Sequence, residues 1–256
     1  MIISDASSQL AGRWAMVTGA SRGIGREVAM GLGQIGCNLV LHSRSVDHTR
    51  ELEAVIRAMG VETLSVAADL AVPEQVDELV MAVSGHGISI DILYNNAGYM
   101  CPWQEDVWHI PSDYFRKSFE INVLSQIRLC AAFLPAMIGN GWGRVINLTS
   151  GIKDQPQLSP YAISKAALRK YVEDLAPYMA DSGVYINSLD PGWLSTDMGG
   201  PDAPNRVDSV LPGALLPVLL KHPVSGYEFL AQDYAALTLE QAISGAEEKI
   251  SAWSHT

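Results

Sequence analysis

The sequence predicts a single α/β domain whose parallel sheet is covered by helices on both faces. Three observations lead there. Short apolar runs alternate with longer segments in which apolar residues recur every three or four positions, the pattern of repeated strand–helix units. The chain of 256 residues, 48% apolar and 18% charged, can bury one large core. No repeat, low-complexity tract or linker divides it, so residues 1–256 read as one domain.

Residues 14–18 form the first strand and run into Thr18-Gly19-Ala20-Ser21-Arg22-Gly23-Ile24-Gly25, after which Val28, Ala29 and Leu32 fall at helical spacing. Strand, glycine turn and helix in that order direct a helix N-terminus at phosphate. Gly19 permits the tight turn, Gly23 lets backbone approach a ligand, and Gly25 lets the helix pack close to the strand. The spacing Gly-x-x-x-Gly-x-Gly points to one branch of the dinucleotide-binding folds, with Ser21, Arg22 and Ile24 in the turn itself. Residues 38–42 are a second strand, followed by Ser43-Arg44-Ser45 where an adenosine ribose would lie. An acidic side chain there suits the ribose 2′-hydroxyl of NAD, and an arginine suits the 2′-phosphate of NADP. Arg44, with Arg22 in reach of the same phosphate, favours NADP(H).

The alternation continues with a helix over 47–59, a strand over 63–67 and a helix over 73–84 opened by Pro73. Asp69 and Leu70 follow the third strand, where the carboxylate can accept from an adenine amino group or cap a helix. A strand over 90–94 ends in Asn95-Asn96-Ala97-Gly98, residues suited to close backbone approach, and an apolar loop with Met100 and Trp103 reads as a pocket wall or as packing. The long helix over 113–137 carries Asn122 among apolar residues, an amide that must find partners or cost stability, and Pro135 near its end. A strand over 143–150 leaves Thr149 and Ser150 at its carboxyl end.

After a loop over 151–160 comes a helix bearing Tyr161 and Lys165, one turn apart and facing the same way. An ammonium near a phenol favours the phenolate and lowers its pKa. Pro177 falls inside a helical pattern running to Met179 and predicts a kink or an end. A strand over 184–189 leads into Asp190-Pro191-Gly192-Trp193-Leu194-Ser195-Thr196-Asp197, and the glycine- and proline-rich residues 197–225 read as a lid. A short strand over 227–230 precedes a tail helix over 238–254, where Thr238 and Gln241 form a cap and Leu239, Ala242, Ile243, Ala246, Ile250 and Trp253 a stripe.

A net charge of −11 without a basic run argues against nucleic acid or an anionic membrane surface as partner. The longest apolar stretch, 211–220, is interrupted by Pro212 and Pro217 and is too short to span a bilayer, and residues 1–5 lack a secretory leader. Cys37, Cys101 and Cys130 are odd in number, far apart and without metal-ligand spacing, so no metal is expected and the cytoplasm is the expected compartment.

Taken in order, Thr18-Gly19-x-x-x-Gly23-x-Gly25, Asn95-Asn96-Ala97-Gly98, Asn122, Ser150, Tyr161-x-x-x-Lys165 and Pro191-Gly192 resemble the short-chain dehydrogenase/reductase family, in its single-domain branch, over about residues 10–200. The resemblance implies a Rossmann-type, doubly wound three-layer sandwich around a parallel sheet of about seven strands. It implies that Tyr161 is the general acid or base, that Lys165 lowers its pKa and holds the nicotinamide ribose, that Ser150 orients and polarises a carbonyl, and that Asn122 holds a water connecting Lys165 to solvent. Asn96, Ala97 and Gly98 would line the cofactor, and Leu194 and Thr196, after Pro191-Gly192, would hold the carboxamide. Ser150 lies eleven residues before Tyr161, a short gap for the family, which leaves Thr149 as an alternative carbonyl ligand.

The implied activity is that of an NADPH-dependent carbonyl reductase, or in reverse an alcohol dehydrogenase, acting on a small-molecule ketone or aldehyde in a pocket of Met100, Trp103, Leu158 and Trp193. Reduction of a 3-oxoacyl group on an acyl carrier protein is the alternative, although Gly139-Asn140-Gly141-Trp142 supplies no basic patch for an acidic carrier. A non-catalytic NADP(H)-binding sensor or scaffold would predict a damaged set of catalytic residues, whereas Asn122, Ser150, Tyr161 and Lys165 are all present. The resemblance also implies a homo-oligomer, dimer or tetramer, through the helices bearing Asn122 and Tyr161.

Overall fold

A computed structural model describes residues 9–253; the N-terminal residues 1–5 read above and Ser254 at the end of the expected tail helix lie outside them. The strands are β1 Trp14–Val17, β2 Asn38–Ser43, β3 Thr63–Ala67, β4 Ile92–Asn95, β5 Gly143–Leu148, β6 Val184–Asp190, β7 Leu194–Ser195, β8 Asn205–Arg206 and β9 Glu228–Leu230. Seven of them form one sheet in the order β3-β2-β1-β4-β5-β6-β9, and β7 pairs with β8 alone. Each pairing in the large sheet is parallel. The chain therefore winds outward from β1 to β3, returns, and winds the other way from β4. The crevice between the carboxyl ends of β1 and β4 is the place where such sheets bind ligands.

The helices are α1 Gly23–Ile35, α2 Arg50–Arg57, α3 Pro73–Gly85, α4 Ser112–Phe119, α5 Ser125–Gly139, α6 Ser159–Leu175, α7 Leu216–Leu219 and α8 Leu239–Trp253. Central strands are largely apolar because both of their faces are covered, with buried Arg144 and Asn147 as the exceptions in β5. Ala15, Val17, Leu39, Leu41, Ile92, Tyr94, Ile146 and Leu148 pack into one core with α1 and α8. The intervening Met16, Val40, Leu93 and Val145 pack into the other with α3, α5 and α6. Each large side chain so buried contributes about 1.5–3 kcal/mol, against roughly 0–1 kcal/mol for an exposed ion pair.

Several boundaries differ from the sequence reading. The helix expected over 47–59 splits into a 3₁₀ turn, Val46–His48, and α2. Thr49 at the break is buried, and its hydroxyl bonds to the Val46 carbonyl and to Ser65. The helix expected over 113–137 runs from Ser112 to Gly139 but contains a π-helical turn, Glu120–Leu124, centred on Asn122. Pro135 does not end it, since this residue faces solvent and water can take the carbonyl left without a donor. By length and composition this 28-residue helix, rather than 211–220, is the segment able to cross a membrane, yet half of its apolar window is buried and Leu129, Cys130, Phe133, Leu134 and Met137 sit in the second core. It packs as a core helix. Pro177 ends α6 at Leu175 and opens a 3₁₀ turn, Ala176–Met179.

The lid expected over 197–225 is not a single mobile piece. Val210, Ala214, Leu215, Leu216, Val218, Leu219 and Leu220 are buried in the first core. Their apolar side chains take them beneath the sheet, and the buried Tyr94 hydroxyl donates to the Ala214 carbonyl at 2.8 Å. The tail helix begins as expected: Gln241 N–H donates to Thr238 Oγ1 and Thr238 N–H to Gln241 Oε1, and Ala242, Ala246 and Ile250 are buried against the same core. Tyr94→Phe deletes the donor to Ala214 and is expected to lower stability by about 1–2 kcal/mol, whereas Tyr178→Phe, at an 81% exposed position, is expected to leave it unchanged; urea titration of both variants checks this.

Candidate active site

Thr18, the last residue before the glycine turn, gathers the ends of β1 and β4. Its Oγ1 accepts from the backbone N–H groups of Asn96 at 3.0 Å and Ala97 at 2.9 Å. Asn96 Nδ2 donates back to the carbonyls of Thr18 at 2.8 Å and Gly19 at 3.2 Å. Gly19 and Gly23 adopt φ of +65° and +56°, which side chains disfavour. A Cβ on Gly25 would lie 2.3 Å from the Gly19 carbonyl oxygen and 2.5 Å from Asn96 Nδ2, so only glycine lets α1 approach this closely. No side chain caps the N-terminus of α1 at Arg22, which leaves its first N–H groups for an anion. Ser21 and Ile24 flank this turn at intermediate exposure, and the Thr196 methyl faces Gly23 from the far side.

On the adenosine side, His42 at the end of β2 is 2% exposed. Gly19 N–H donates to its Nδ1 at 3.3 Å, which puts the ring proton on Nε2, 3.0 Å from the Ala68 carbonyl. The imidazole thus ties the glycine turn to the segment holding Asp69 and Leu70. The sequence reading missed it, although a histidine closing the apolar run Leu39-Val40-Leu41 was the available signal. Ser43 is buried and donates to the Ser45 carbonyl at 2.6 Å, so it shapes the turn instead of presenting its hydroxyl to a ribose. Arg44 is exposed and makes no hydrogen bond or ion pair among the described residues. Arg22 departs from expectation: it pairs with Asp197 at 2.9 Å, across to the segment after Thr196, and not toward Arg44. Asp69 Oδ1 accepts from Ala71 N–H at 2.9 Å in a local turn and does not cap α3, whose N-cap is Val72 without a side-chain bond, and Leu70 is buried.

Ser150, Tyr161 and Lys165 converge where β5 ends and α6 begins. Burial raises the Tyr161 phenol, the adjacent Ser150 hydroxyl lowers it, and the Asp190 carboxylate raises it further. The expected lowering by Lys165 is not what governs the phenol here. Lys165 Nζ lies 5.8 Å from the Tyr161 ring centroid and donates to the Leu148 carbonyl at 2.6 Å. Burial of this ammonium brings its own pKa down to about 8.

Asn122 is buried in the π-helical turn. Its Oδ1 accepts from Tyr99 N–H at 2.7 Å, and its Nδ2 donates to the Tyr99 carbonyl and to Ser164 Oγ, both at 2.8 Å. Through these contacts the side chain clamps the loop at Tyr99 to α6. Ser164 in turn donates to the Tyr161 carbonyl at 2.7 Å and fixes the first turn of α6. Thr149 is removed as an alternative to Ser150, because it is buried and bonded to Glu228 Oε1 at 3.1 Å, and Glu228 is paired with Arg169.

Of the expected pocket residues, Met100 and Leu158 are half-buried, while Trp103 and Trp193 are 49% and 57% exposed. Their indole N–H groups are held by Glu105 and by the Gly199 carbonyl. Ala97 and Gly98 line the floor; a Cβ on Gly98 would lie 3.4 Å from Asn122 Oδ1 and 3.6 Å from Lys165 Nζ. Gly192 has φ +76°, Leu194 is buried in β7, and Thr196 Oγ1 accepts from Gly199 N–H, closing the turn after Pro191. The uncapped helix end, the cradle at Gly25 and the unpaired Arg44 fit a phosphorylated dinucleotide.

The sequence profile of the family described as short chain dehydrogenase matches residues 13–206. A short chain dehydrogenase of Pseudocercospora fijiensis is 32% identical over 203 residues, covering 76% of this chain and 63% of the relative. The very-long-chain 3-oxoacyl-CoA reductase of Rattus norvegicus is 31% identical over 192 residues, covering 73% of this chain and 61% of that protein. The chain thus spans less than two thirds of the length of these curated relatives. Among solved structures, one described as an NAD(P)-dependent gluconate 5-dehydrogenase from Beutenbergia cavernae, with NADP bound at low occupancy, is similar with a TM-score of 0.77 and 25% identity, covering 88% of this chain and 97% of that one.

Burial holds the His42 imidazole at about 4, below its ordinary 6.5. The folded chain therefore binds fewer protons than the unfolded one between those values, so His42 contributes stability above pH 6.5 that is lost as pH falls toward 4. The loss is about 3 kcal/mol across the window. His42→Gln is expected to flatten that part of a plot of Tm against pH, which thermal melts in matched buffers measure.

Proposed function

Because this chain belongs to the short-chain dehydrogenase family, we propose that it is an NADPH-dependent oxidoreductase that reduces a ketone or aldehyde to an alcohol, with oxidation as the reverse at the same site. The observation that carries this reading is the convergence of Ser150, Tyr161 and Lys165 beside the glycine turn, with the lysine charge enclosed. A nicotinamide held there supplies or accepts the hydride.

The chain's own residues manage the oxygen and its proton. Burial and Asp190 keep the Tyr161 phenol protonated at neutral pH, so in reduction it has a proton to give to the carbonyl oxygen. Ser150, next to it, donates to the same oxygen and fixes the angle of approach. The Lys165 ammonium lies near enough to stabilise the phenolate that proton transfer leaves behind. Asn122 and Ser164 hold the loop at Tyr99 and the start of α6 in register. Oxidation needs the phenolate first, so it gains from rising pH while reduction loses.

Arg44 supports the choice of NADP(H), as an exposed cation with no other partner among the described residues at the ribose end. The net charge of −11 disfavours an acidic carrier protein as the substrate's bearer, and the complete set of Asn122, Ser150, Tyr161 and Lys165 disfavours a non-catalytic binder.

Tyr161→Phe is expected to reduce kcat by about 10²–10⁴-fold with NADPH affinity nearly unchanged; NADPH oxidation over a panel of aryl ketones, diketones and 3-oxoesters, with fluorescence titration of the cofactor, tests both halves, and normal turnover would refute the role of Tyr161. Arg44→Ala is expected to weaken NADPH by about 10–100-fold, the loss of one charge-assisted contact, with NADH affected far less. Equal losses for the two cofactors would reject the 2′-phosphate contact.

A further inference from the structure

At the end of β6 stands a carboxylate that the mechanism above does not use as an acid, base or ligand. Asp190 Oδ1 accepts a hydrogen bond from Gly192 N–H at 2.9 Å, which fixes the group against the Pro191-Gly192 turn. Its other oxygen faces Gly151, the residue directly after Ser150: a Cβ built on Gly151 would lie 2.6 Å from Oδ2. Among the described residues, Oδ2 has neither a hydrogen-bond donor nor an ion-pair partner. Asp190 is half-buried and Gly151 exposed, so the carboxylate is partly shielded from bulk water. Its charge reaches the Tyr161 phenol.

The geometry points to Asp190 as a specificity-determining residue, whose uncommitted oxygen selects carbonyl substrates that carry a cationic group, such as a protonated or quaternary amine, over those that carry a carboxylate. The inference deepens the reductase reading of the same site and rests on it. The neighbouring cations do not cancel the carboxylate. Lys165 is 4% exposed and turned to the Leu148 carbonyl, and Lys153, two residues beyond Gly151, is exposed and screened by solvent. A carboxylate beside the two hydroxyls that would hold the carbonyl oxygen matches an amino ketone and opposes a keto acid.

Three aryl ketones of similar shape, 4-acetyl-N,N,N-trimethylanilinium, 4-tert-butylacetophenone and 4-acetylbenzoate, separate charge from size. Titrated by calorimetry into NADPH-loaded Tyr161→Phe protein, which does not consume them, the cation is expected to bind about tenfold or more tighter than the anion, the effect of a unit charge a few ångströms away in a partly shielded site. Adding Asp190→Asn keeps an Oδ1 acceptor for Gly192 and is expected to bring that ratio to within about threefold. Failure of the cation to bind, affinities that ignore charge, or a ratio that Asp190→Asn does not move would each overturn the proposal. Turnover of the same ketones by the protein with Tyr161 intact distinguishes the two readings: charge-selective binding without NADPH oxidation would refute the reductase reading and leave the binding preference of Asp190 standing.

Discussion

Lys165 carries an ammonium group 4% exposed to solvent, bonded to the Leu148 carbonyl and, among the described residues, to no carboxylate. Taking such a charge out of water costs several kcal/mol, and its pKa of about 8 records that cost. The arrangement around it follows from having to keep the charge in place. β5 must end where its last carbonyl meets Nζ, and α6 must start so that position 165 points inward under Tyr161. Burial alone accounts for the lowered lysine, while the phenol answers to burial, Ser150 and Asp190.

A second constraint serves the other end of the crevice. The ends of β1 and β4 are stitched by Thr18 and Asn96 with four hydrogen bonds, and α1 lies against that stitching with no room for a side chain at Gly25. The polar atoms that hold the turn are thereby used up in holding it. What remains free is backbone N–H at the start of α1 and the cation of Arg44, so the turn offers an anion many small dipoles and one full charge. Precision in the turn and openness toward the ligand come from the same few residues.

The strands, the glycine turn and the cap at Thr238 were legible in the sequence because each depends on neighbours a few positions away. Apolar runs report burial on both faces, and glycine spacing reports a turn that side chains would obstruct. Features depending on partners far along the chain were not legible. Thr149 stands as an alternative to Ser150 in the sequence, and only the fold brings Glu228, 79 residues on, to occupy its hydroxyl. The partners of the buried Asn122 amide, Tyr99 and Ser164, lie 23 and 42 residues away. The exposed ion pair of Arg22 with Asp197 joins residues 175 positions apart. Proline and glycine made 197–225 look like a lid, whereas Val210 and the apolar run from Ala214 to Leu220 obey the hydrophobic effect and lie in the core.

That last feature ties together two parts of the molecule that are often free to change apart. The stretch resembling the family ends at residue 206, yet one of the two cores is completed by Val210, the run from Ala214 to Leu220, Phe229, Tyr234 and the buried face of α8. The chain just past the mouth of the site is also a wall of the interior. A substitution there is tested twice, once by what it presents outside and once by whether it fits within, and close-packed interiors tolerate few changes in volume. Divergence in this region is therefore paced by compensating changes in the core, and new specificities are reached most readily through positions such as Trp193 and Met198 that face outward and owe the interior little.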